Sequence, residues 1–120
     1  MIKHNKMVAK LAKSGETIVK EMTPENAHLL HMSMGISGEA GELVDAIKKS
    51  VIYCKPIDYD NVIEELGDLE FYLEGLRQGL GVTREQTINA NICKLGKRYN
   101  GHNYSDQAAK QRADKNDNSK

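Results

Sequence analysis

The amino-acid sequence predicts an all-α protein built as a bundle of about five helices. Hydrophobic residues recur at the three- and four-residue spacing of a buried helix face, most clearly between Val62 and Leu80. No segment shows the alternation of apolar and polar residues that is typical of a half-buried strand. The chain has one Phe and no Trp, so the helices are expected to pack through aliphatic side chains.

The N-terminal segment predicts a short basic helix, after which a second helix begins. The first helix covers Met1–Lys13 and ends at Ser14 and Gly15. The second begins at Thr23, which suits the N-cap, and at Pro24, which suits the first helical position because its missing N–H costs nothing there.

The middle of the chain predicts a third helix over roughly Ser37–Val51. Gly35 and Gly38 are expected to interrupt or kink the chain before it, because glycine is a poor helix former. The helix has the spacing of a single buried face. Its apolar positions are Ala40, Leu43, Val44, Ile47 and Val51. A loop is expected over Tyr53–Asp58, which contains Pro56.

The fourth helix carries an unbroken apolar stripe with alternating steps of three and four, which favours a partner helix at a shallow angle. The stripe consists of Val62, Leu66, Leu69, Leu73, Leu76 and Leu80. Gly79 and Gly81 are expected to end this helix. One short neighbouring helix cannot cover six such positions, so we expect the bundle to oligomerise.

A fifth helix is predicted to open with a capping box formed by Thr83 and Gln86. Its apolar positions are Ile88, Ile92, Leu95 and Tyr99. A short helix over Asp106–Ala113 is a further candidate. Residues 1–113 are expected to form a single domain, followed by a disordered polar tail at residues 114–120.

Charge and composition exclude several classes of function. The chain carries 17 basic and 17 acidic residues and has a formal net charge of zero, so no global field attracts nucleic acid or an anionic membrane. No apolar stretch is long enough to span a membrane, and no signal peptide is evident. Cys54 and Cys93 match no zinc or redox spacing. We therefore expect a cytoplasmic protein, bacterial or in an infected host cell, with reduced thiols.

Two pairs of acidic residues are the strongest chemical signal. Glu39 and Glu42 are three apart on the third helix, and Glu65 and Asp68 are three apart on the fourth, so each pair projects from one side of its helix. Four converging carboxylates would repel one another without a cation. Such oxygen ligands suit Mg²⁺ or Mn²⁺.

Helix geometry selects among the neighbouring acids. With the fourth helix centred on its apolar stripe, Glu65 lies about 60° and Asp68 about 120° from the core direction on the same side, whereas Glu64 points nearly away from the core. Asp45 falls on the opposite side of its helix from Glu39 and Glu42 and is a weaker candidate.

The alternative interpretation of each acidic pair is a solvated helix surface, where Glu and Asp are common. The surrounding glycines favour a site, because a glycine inside a helix costs about 1 kcal/mol relative to Ala. Their presence indicates close backbone approach or space for a ligand. These glycines are Gly35, Gly38, Gly41 and Gly67.

Three segments resemble the MazG-like nucleotide pyrophosphohydrolases, a family of all-α NTP pyrophosphatases. His31–Leu43 resembles the first family motif, Glu64–Leu69 resembles the second, and Asn91–Tyr99 resembles the third, with its Asn, Lys and Arg-Tyr. The family pattern is E-x-x-E, a spacer, then E-x-x-D. The similarity extends over roughly Asn26–Arg112, and the short chain looks like the small single-domain phage and bacterial members.

The resemblance implies Mg²⁺-dependent hydrolysis of a nucleoside triphosphate to a monophosphate and pyrophosphate. It assigns Glu39, Glu42, Glu65 and Asp68 as ligands of two or more Mg²⁺ ions, for which Mn²⁺ can substitute. It also implies a homodimer or a homotetramer formed as a dimer of dimers. The neutral charge separately predicts no nucleic-acid or membrane partner.

The expected reaction is attack of water on the α-phosphorus. Divalent cations acidify water and neutralise phosphate charge, and a carboxylate takes the proton. Glu39, Glu42 and Glu65 are the candidate catalytic residues for that step.

The remaining candidate residues bind the nucleotide. Asn91, Lys94 and Arg98 share one side of the fifth helix, where the two cations are expected to bind phosphates and Asn91 to contact sugar or phosphate. A solvated basic helix end is the alternative. Tyr72 is expected either to contact the nucleotide or to pack in the core.

Three alternatives stay open at this stage. A dUTPase-like enzyme or a phosphoribosyl-ATP pyrophosphohydrolase would use the same scaffold. A non-enzymatic helical interaction module would display the acidic pairs as surface. Within the favoured activity, the phage MazZ enzymes prefer guanine nucleotides (GTP or dGTP), and this preference is one expectation for the chain.

Overall fold

The computed structural model describes residues 1–116 and contains helices but no strand over that range. The all-α prediction is therefore confirmed. The helices are α1 (His4–Leu11), α2 (Gly15–Glu21), α3 (Pro24–Val51), α4 (Tyr59–Leu80), α5 (Arg84–Arg98), α6 (Asp106–Gln111) and α7 (Ala113–Asn116), with a 3-10 turn at Asn100–His102.

The chain divides into two compact units, Met1–Leu76 and Arg77–Lys120, with the boundary inside α4. The predicted single domain over residues 1–113 stays a prediction. The polar tail was expected from residue 114, but residues 113–116 form α7. The rest of that tail, residues 117–120, lies outside the described residues.

The N-terminal segment forms two helices rather than one. The first helix ends at Leu11, before the predicted end at Ser14 and Gly15. Ser14 instead caps the second helix, because its hydroxyl accepts a hydrogen bond from the backbone N–H of Thr17 at 3.1 Å. An N-cap bond of this kind satisfies an otherwise unpaired amide. An ion pair between Lys13 and Glu21 closes the turn between α1 and α2.

The long helix α3 begins as predicted, with Thr23 accepting from the N–H of Asn26 at 3.1 Å and Pro24 in the first turn. The predicted interruption at Gly35 and Gly38 is wrong, because α3 continues through both for 28 residues. Glycine in a helix interior costs about 1 kcal/mol, and contacts with the next helix offset that cost at Gly35.

Helices α3 and α4 pack as an antiparallel pair within the first unit. The ring of Tyr72 lies where a Cβ on Gly35 would be, and Met32 lies equally close to Gly75. His28 also contacts α4, since its Nε2 lies 2.9 Å from the carbonyl oxygen of Gly75. The glycines therefore allow close approach of the two helices at two successive levels.

The apolar stripe of α4 is partly covered in this structure. Four of its six positions are half-buried, whereas Leu66 and Leu80 are exposed. The four are Val62, Leu69, Leu73 and Leu76. Outside the stripe, Ile63 and Phe71 are also exposed.

The second unit is organised around α5. The capping box of Thr83 and Gln86 forms as predicted, with each residue's side chain accepting a hydrogen bond from the other's backbone N–H. After α5, Gly101 adopts a φ of 65°, a left-handed conformation that favours glycine. This turn leads the chain into α6 and α7, which contact α5.

Burial of apolar side chains is sparse throughout residues 1–116. The buried hydrophobic residues in that range are Met32 and Ala46. No helix in the described range is long and apolar enough to cross a membrane. Most of the aliphatic surface that the helices present is thus open in a single copy of the chain.

Candidate metal centre

Three of the four predicted metal ligands come together where α3 and α4 pack side by side. Glu39 on α3 and Glu65 and Asp68 on α4 each offer a carboxylate oxygen, and these oxygens lie within 4.8 Å of one another. The antiparallel packing produces this convergence, because the tight contact between Gly35 and Tyr72 lies one turn away from Glu39 and Asp68 along each helix.

The surroundings of Glu65 in the cluster raise the pKa of its carboxyl group. Partial burial raises the pKa of Glu65, and a hydrogen bond with Glu39 raises this pKa further. The negative charges of Glu42, Glu39 and Asp68 act in the same direction. Like charges held this close favour protonation of one member unless a cation is present.

Glu42 lies outside the group of three but within electrostatic reach of it, as its effect on the pKa of Glu65 shows. Glu64 is exposed and does not join the group. Asp45 instead binds Lys49, with Oδ2 and Nζ 3.0 Å apart. The two acids that helix geometry ranked lower, Glu64 and Asp45, are therefore outside the cluster, as is Glu42, which helix geometry had favoured.

The donor set and the space around it fit a divalent cation. Carboxylate oxygens are the ligands that Mg²⁺ and Mn²⁺ prefer. Three glycines beside the cluster have no neighbouring atom within 4 Å of the position that a Cβ would occupy. They are Gly38, Gly41 and Gly67. All three are exposed at the helix surface, so no side chain at these positions obstructs the approach of a hydrated ion.

Tyr72 packs between the helices. Its ring covers Gly35 and makes edge-on contacts with Phe71 and His31, whose ring centroids lie 5.2 and 6.2 Å away. The ring is half-buried. These contacts agree with packing in the core, which was one of the two expected roles of Tyr72. Its contact with a nucleotide stays a prediction.

The predicted phosphate-binding residues lie on α5 in the second unit. Asn91 and Lys94 are exposed. Arg98 instead forms a two-point ion pair with Asp114, with Nε 2.7 Å from Oδ1 and Nη2 3.1 Å from Oδ2. The side chains of Arg98 and Asp114 are 17% and 1% exposed. Arg98 is thus already bound to a carboxylate.

Sequence reasoning missed Asp114, which it assigned to a disordered tail. No helical spacing connects Asp114 to Arg98, because a 3-10 turn and the short helix α6 separate them. An aspartate in a polar tail with a second aspartate at position 117 gave no signal.

Lys49, the partner of Asp45, lies near the carboxylates. A hydrogen bond and the charge of Asp45 raise its pKa, and the charges of Glu42 and Glu65 raise it further. Lys49 is therefore a cation beside the carboxylate cluster.

A family model described as the MazG nucleotide pyrophosphohydrolase domain matches residues 28–102, more than half of the chain. The matched segment contains the whole carboxylate cluster and ends before Asp114. Comparison with curated proteins and with solved structures finds no match.

Proposed function

The chain belongs to the MazG nucleotide pyrophosphohydrolase family, and from this premise we propose that it hydrolyses nucleoside triphosphates to a monophosphate and pyrophosphate with Mg²⁺. The observation that carries the proposal is the convergence of Glu39, Glu65 and Asp68 within the segment that the family model matches. An interaction surface would not need three acids with oxygens inside 4.8 Å, since their repulsion costs free energy.

Glu39, Glu65 and Asp68 would hold the metal, together with Glu42 at the edge of the cluster. When bound, Mg²⁺ supplies positive charge that stabilises the phosphate oxygens and acidifies nearby water, and Mn²⁺ can do the same. The number of ions implied by the family resemblance is two or more per site.

The carboxylates themselves orient and deprotonate the attacking water. A carboxylate of Glu39, Glu42 or Glu65 accepts a proton from this water as its oxygen bonds to the α-phosphorus. The bond from the α-phosphorus to the bridging oxygen breaks, and pyrophosphate leaves with the electron pair.

Lys94 and Asn91 are proposed to contact the substrate from α5, where both are exposed. Arg98 can bind phosphate only by exchanging its Asp114 partner for the substrate. Its proposed role therefore includes a competition between two anions for one guanidinium.

We further propose that the working form is a homodimer or a dimer of dimers. Apolar residues at the C-terminal end of α3, most of them exposed, surround a groove of about 480 Å³. Its apolar lining consists of Leu43, Val44, Ile47, Val51 and Ile52. Burying each such side chain stabilises a protein by about 1.5–3 kcal/mol, so a second copy is a favourable partner for this surface.

The test is a panel of NTPs and dNTPs with Mg²⁺, in which monophosphate and pyrophosphate are quantified. Equal amounts of the two products are expected, and orthophosphate as the first product would exclude cleavage at the α-phosphorus. The panel also separates a guanine preference from a dUTPase-like or phosphoribosyl-ATP activity. A non-enzymatic module should show no turnover and no Mg²⁺-dependent rise in melting temperature.

A further inference from the structure

A polar pocket lies beside the carboxylate cluster, at the loop that joins α3 to α4. It has a volume of about 540 Å³, which is within the range of small-molecule sites. Its polar lining comes from both helices and from the loop. The polar residues are Lys49, Ser50, Lys55, Asp58 and Asn61.

This pocket and the carboxylate cluster are neighbours along both helices. Asn61 lies four residues before Glu65 on α4, which is one helical turn or about 6 Å. On α3, Lys49 lies two turns beyond Glu42, and the charges of Glu42 and Glu65 both act on it. A ligand with one end at the carboxylates can therefore extend into the pocket.

Hydrogen bonds within the loop order the backbone that lines the pocket. The hydroxyl of Ser50 donates to the carbonyl oxygen of Lys55 at 2.8 Å, and the N–H of Lys55 donates to the carbonyl oxygen of Ser50 at 3.1 Å. These bonds fix the backbone that carries Lys55. Asp58 accepts from the N–H of Asn61 at 3.1 Å, so part of its hydrogen-bonding capacity is used within the loop.

The residues that line the pocket favour the phosphates of a nucleotide over its base. Lys49 and Lys55 are the cations of the lining, and each ammonium offers three donors to phosphate oxygens. Lys49 also contacts Asp45 at 3.0 Å, so phosphate must compete with that carboxylate for the Lys49 ammonium. No aromatic ring lines the pocket, so it lacks the flat surface on which a base commonly stacks.

We infer that this pocket binds the β- and γ-phosphates of the substrate, the part that leaves as pyrophosphate, with Lys49 and Lys55 as the charged contacts. This inference rests on the proposed function, and it adds Lys49 and Lys55, which lie outside the three segments that resemble the family motifs. The α-phosphate lies at the carboxylate cluster. Release of pyrophosphate therefore requires both lysines to give up the product.

The test measures binding of inorganic pyrophosphate in the presence of Mg²⁺ by calorimetry, so that it does not depend on turnover. Each substitution removes a charged hydrogen-bond donor to the phosphate oxygens. Lys49→Gln and Lys55→Gln should therefore each raise the dissociation constant of pyrophosphate about tenfold. The dissociation constant of the nucleoside monophosphate should change little. The matched control is Lys48→Gln, because Lys48 lines the apolar groove instead and should leave both constants unchanged.

The outcomes separate this inference from the proposed function. If wild-type protein releases pyrophosphate from triphosphates but both variants bind pyrophosphate as tightly as wild type, the pocket assignment is wrong and the activity stands. If pyrophosphate binds with the expected lysine dependence but no triphosphate is cleaved, the pocket stands and the activity is wrong. Equal weakening by Lys48→Gln would show a general charge effect and overturn the assignment.

Discussion

Glu39 shares a small volume with Glu65 and Asp68, and this crowding has opposite consequences for catalysis and for stability. Glu39→Gln keeps the shape of the side chain but removes one charge and one metal ligand. We expect turnover to be lost, while the melting temperature of the metal-free protein rises slightly because repulsion with Glu65 is relieved. The measurement is pyrophosphate release alongside thermal unfolding in a chelator.

The matched control for this prediction is Glu64→Gln, since Glu64 is exposed and lies outside the cluster. It should retain turnover and gain no stability. Wild-type activity in Glu39→Gln at saturating Mg²⁺ would show that the metal assignment is wrong.

A second prediction concerns how the Arg98–Asp114 pair makes the stability of the folded protein depend on pH. The hydrogen bonds and charge of Arg98 hold the pKa of Asp114 below its ordinary value of 3.8. Because the folded-state pKa is the lower one, the pair stabilises the folded protein above about pH 4 and loses that contribution as pH falls through the folded-state pKa.

We therefore expect Asp114→Asn to lower the melting temperature by a constant amount between pH 5 and pH 7. The difference should shrink when both proteins are compared near pH 3. A difference that grows on acidification would contradict the pairing.

At the scale of the element, the packing of α3 on α4 depends on which glycines face the neighbouring helix. A methyl group on Gly35 would overlap the ring of Tyr72, and overpacking of this kind costs roughly 1–3 kcal/mol. Gly38 has open space at the same position, so Gly38→Ala should gain about 1 kcal/mol of helix propensity.

We thus expect Gly35→Ala to lower the melting temperature of the metal-free protein and Gly38→Ala to raise it. Denaturant unfolding of the two variants side by side gives the sign of each change. Equal stabilisation by both substitutions would mean that α3 and α4 do not approach closely at Gly35.

The same elements show how far sequence reasoning reaches. Caps at Thr23 and Thr83 are local patterns, and both were predictable because a cap depends on residues within one turn. The continuity of α3 through Gly35 was not predictable, since it depends on Tyr72, 37 positions along the chain. Convergence of Glu39 with Glu65 and Asp68 was predictable from paired spacing and the family resemblance. The Arg98–Asp114 pair was not, because no periodic pattern connects its members.

At the scale of the whole molecule, the apolar groove on α3 predicts self-association. Val44, Val51 and Ile52 are 65%, 66% and 64% exposed, although aliphatic side chains gain free energy by burial. Val44→Asp places a charge in the centre of this surface without disturbing a buried contact. We expect it to lower the oligomeric state and pyrophosphate release together, measured by light scattering and activity on the same samples.

Val19→Asp is the control, because Val19 is 74% exposed on α2 and does not line the groove. It should leave the oligomeric state unchanged. A wild-type protein that is monomeric at tens of micromolar and fully active would contradict the proposed dimer.

The central claim is that water attacks the α-phosphorus of a nucleoside triphosphate at the carboxylate cluster. Hydrolysis in ¹⁸O-labelled water with Mg²⁺, followed by mass spectrometry of both products, tests this claim most directly. Attack at the α-phosphorus puts the label in the monophosphate and leaves pyrophosphate unlabelled. Label in pyrophosphate would show attack at the β-phosphorus, label in orthophosphate would show cleavage of the γ-phosphate, and either result would contradict the proposed reaction.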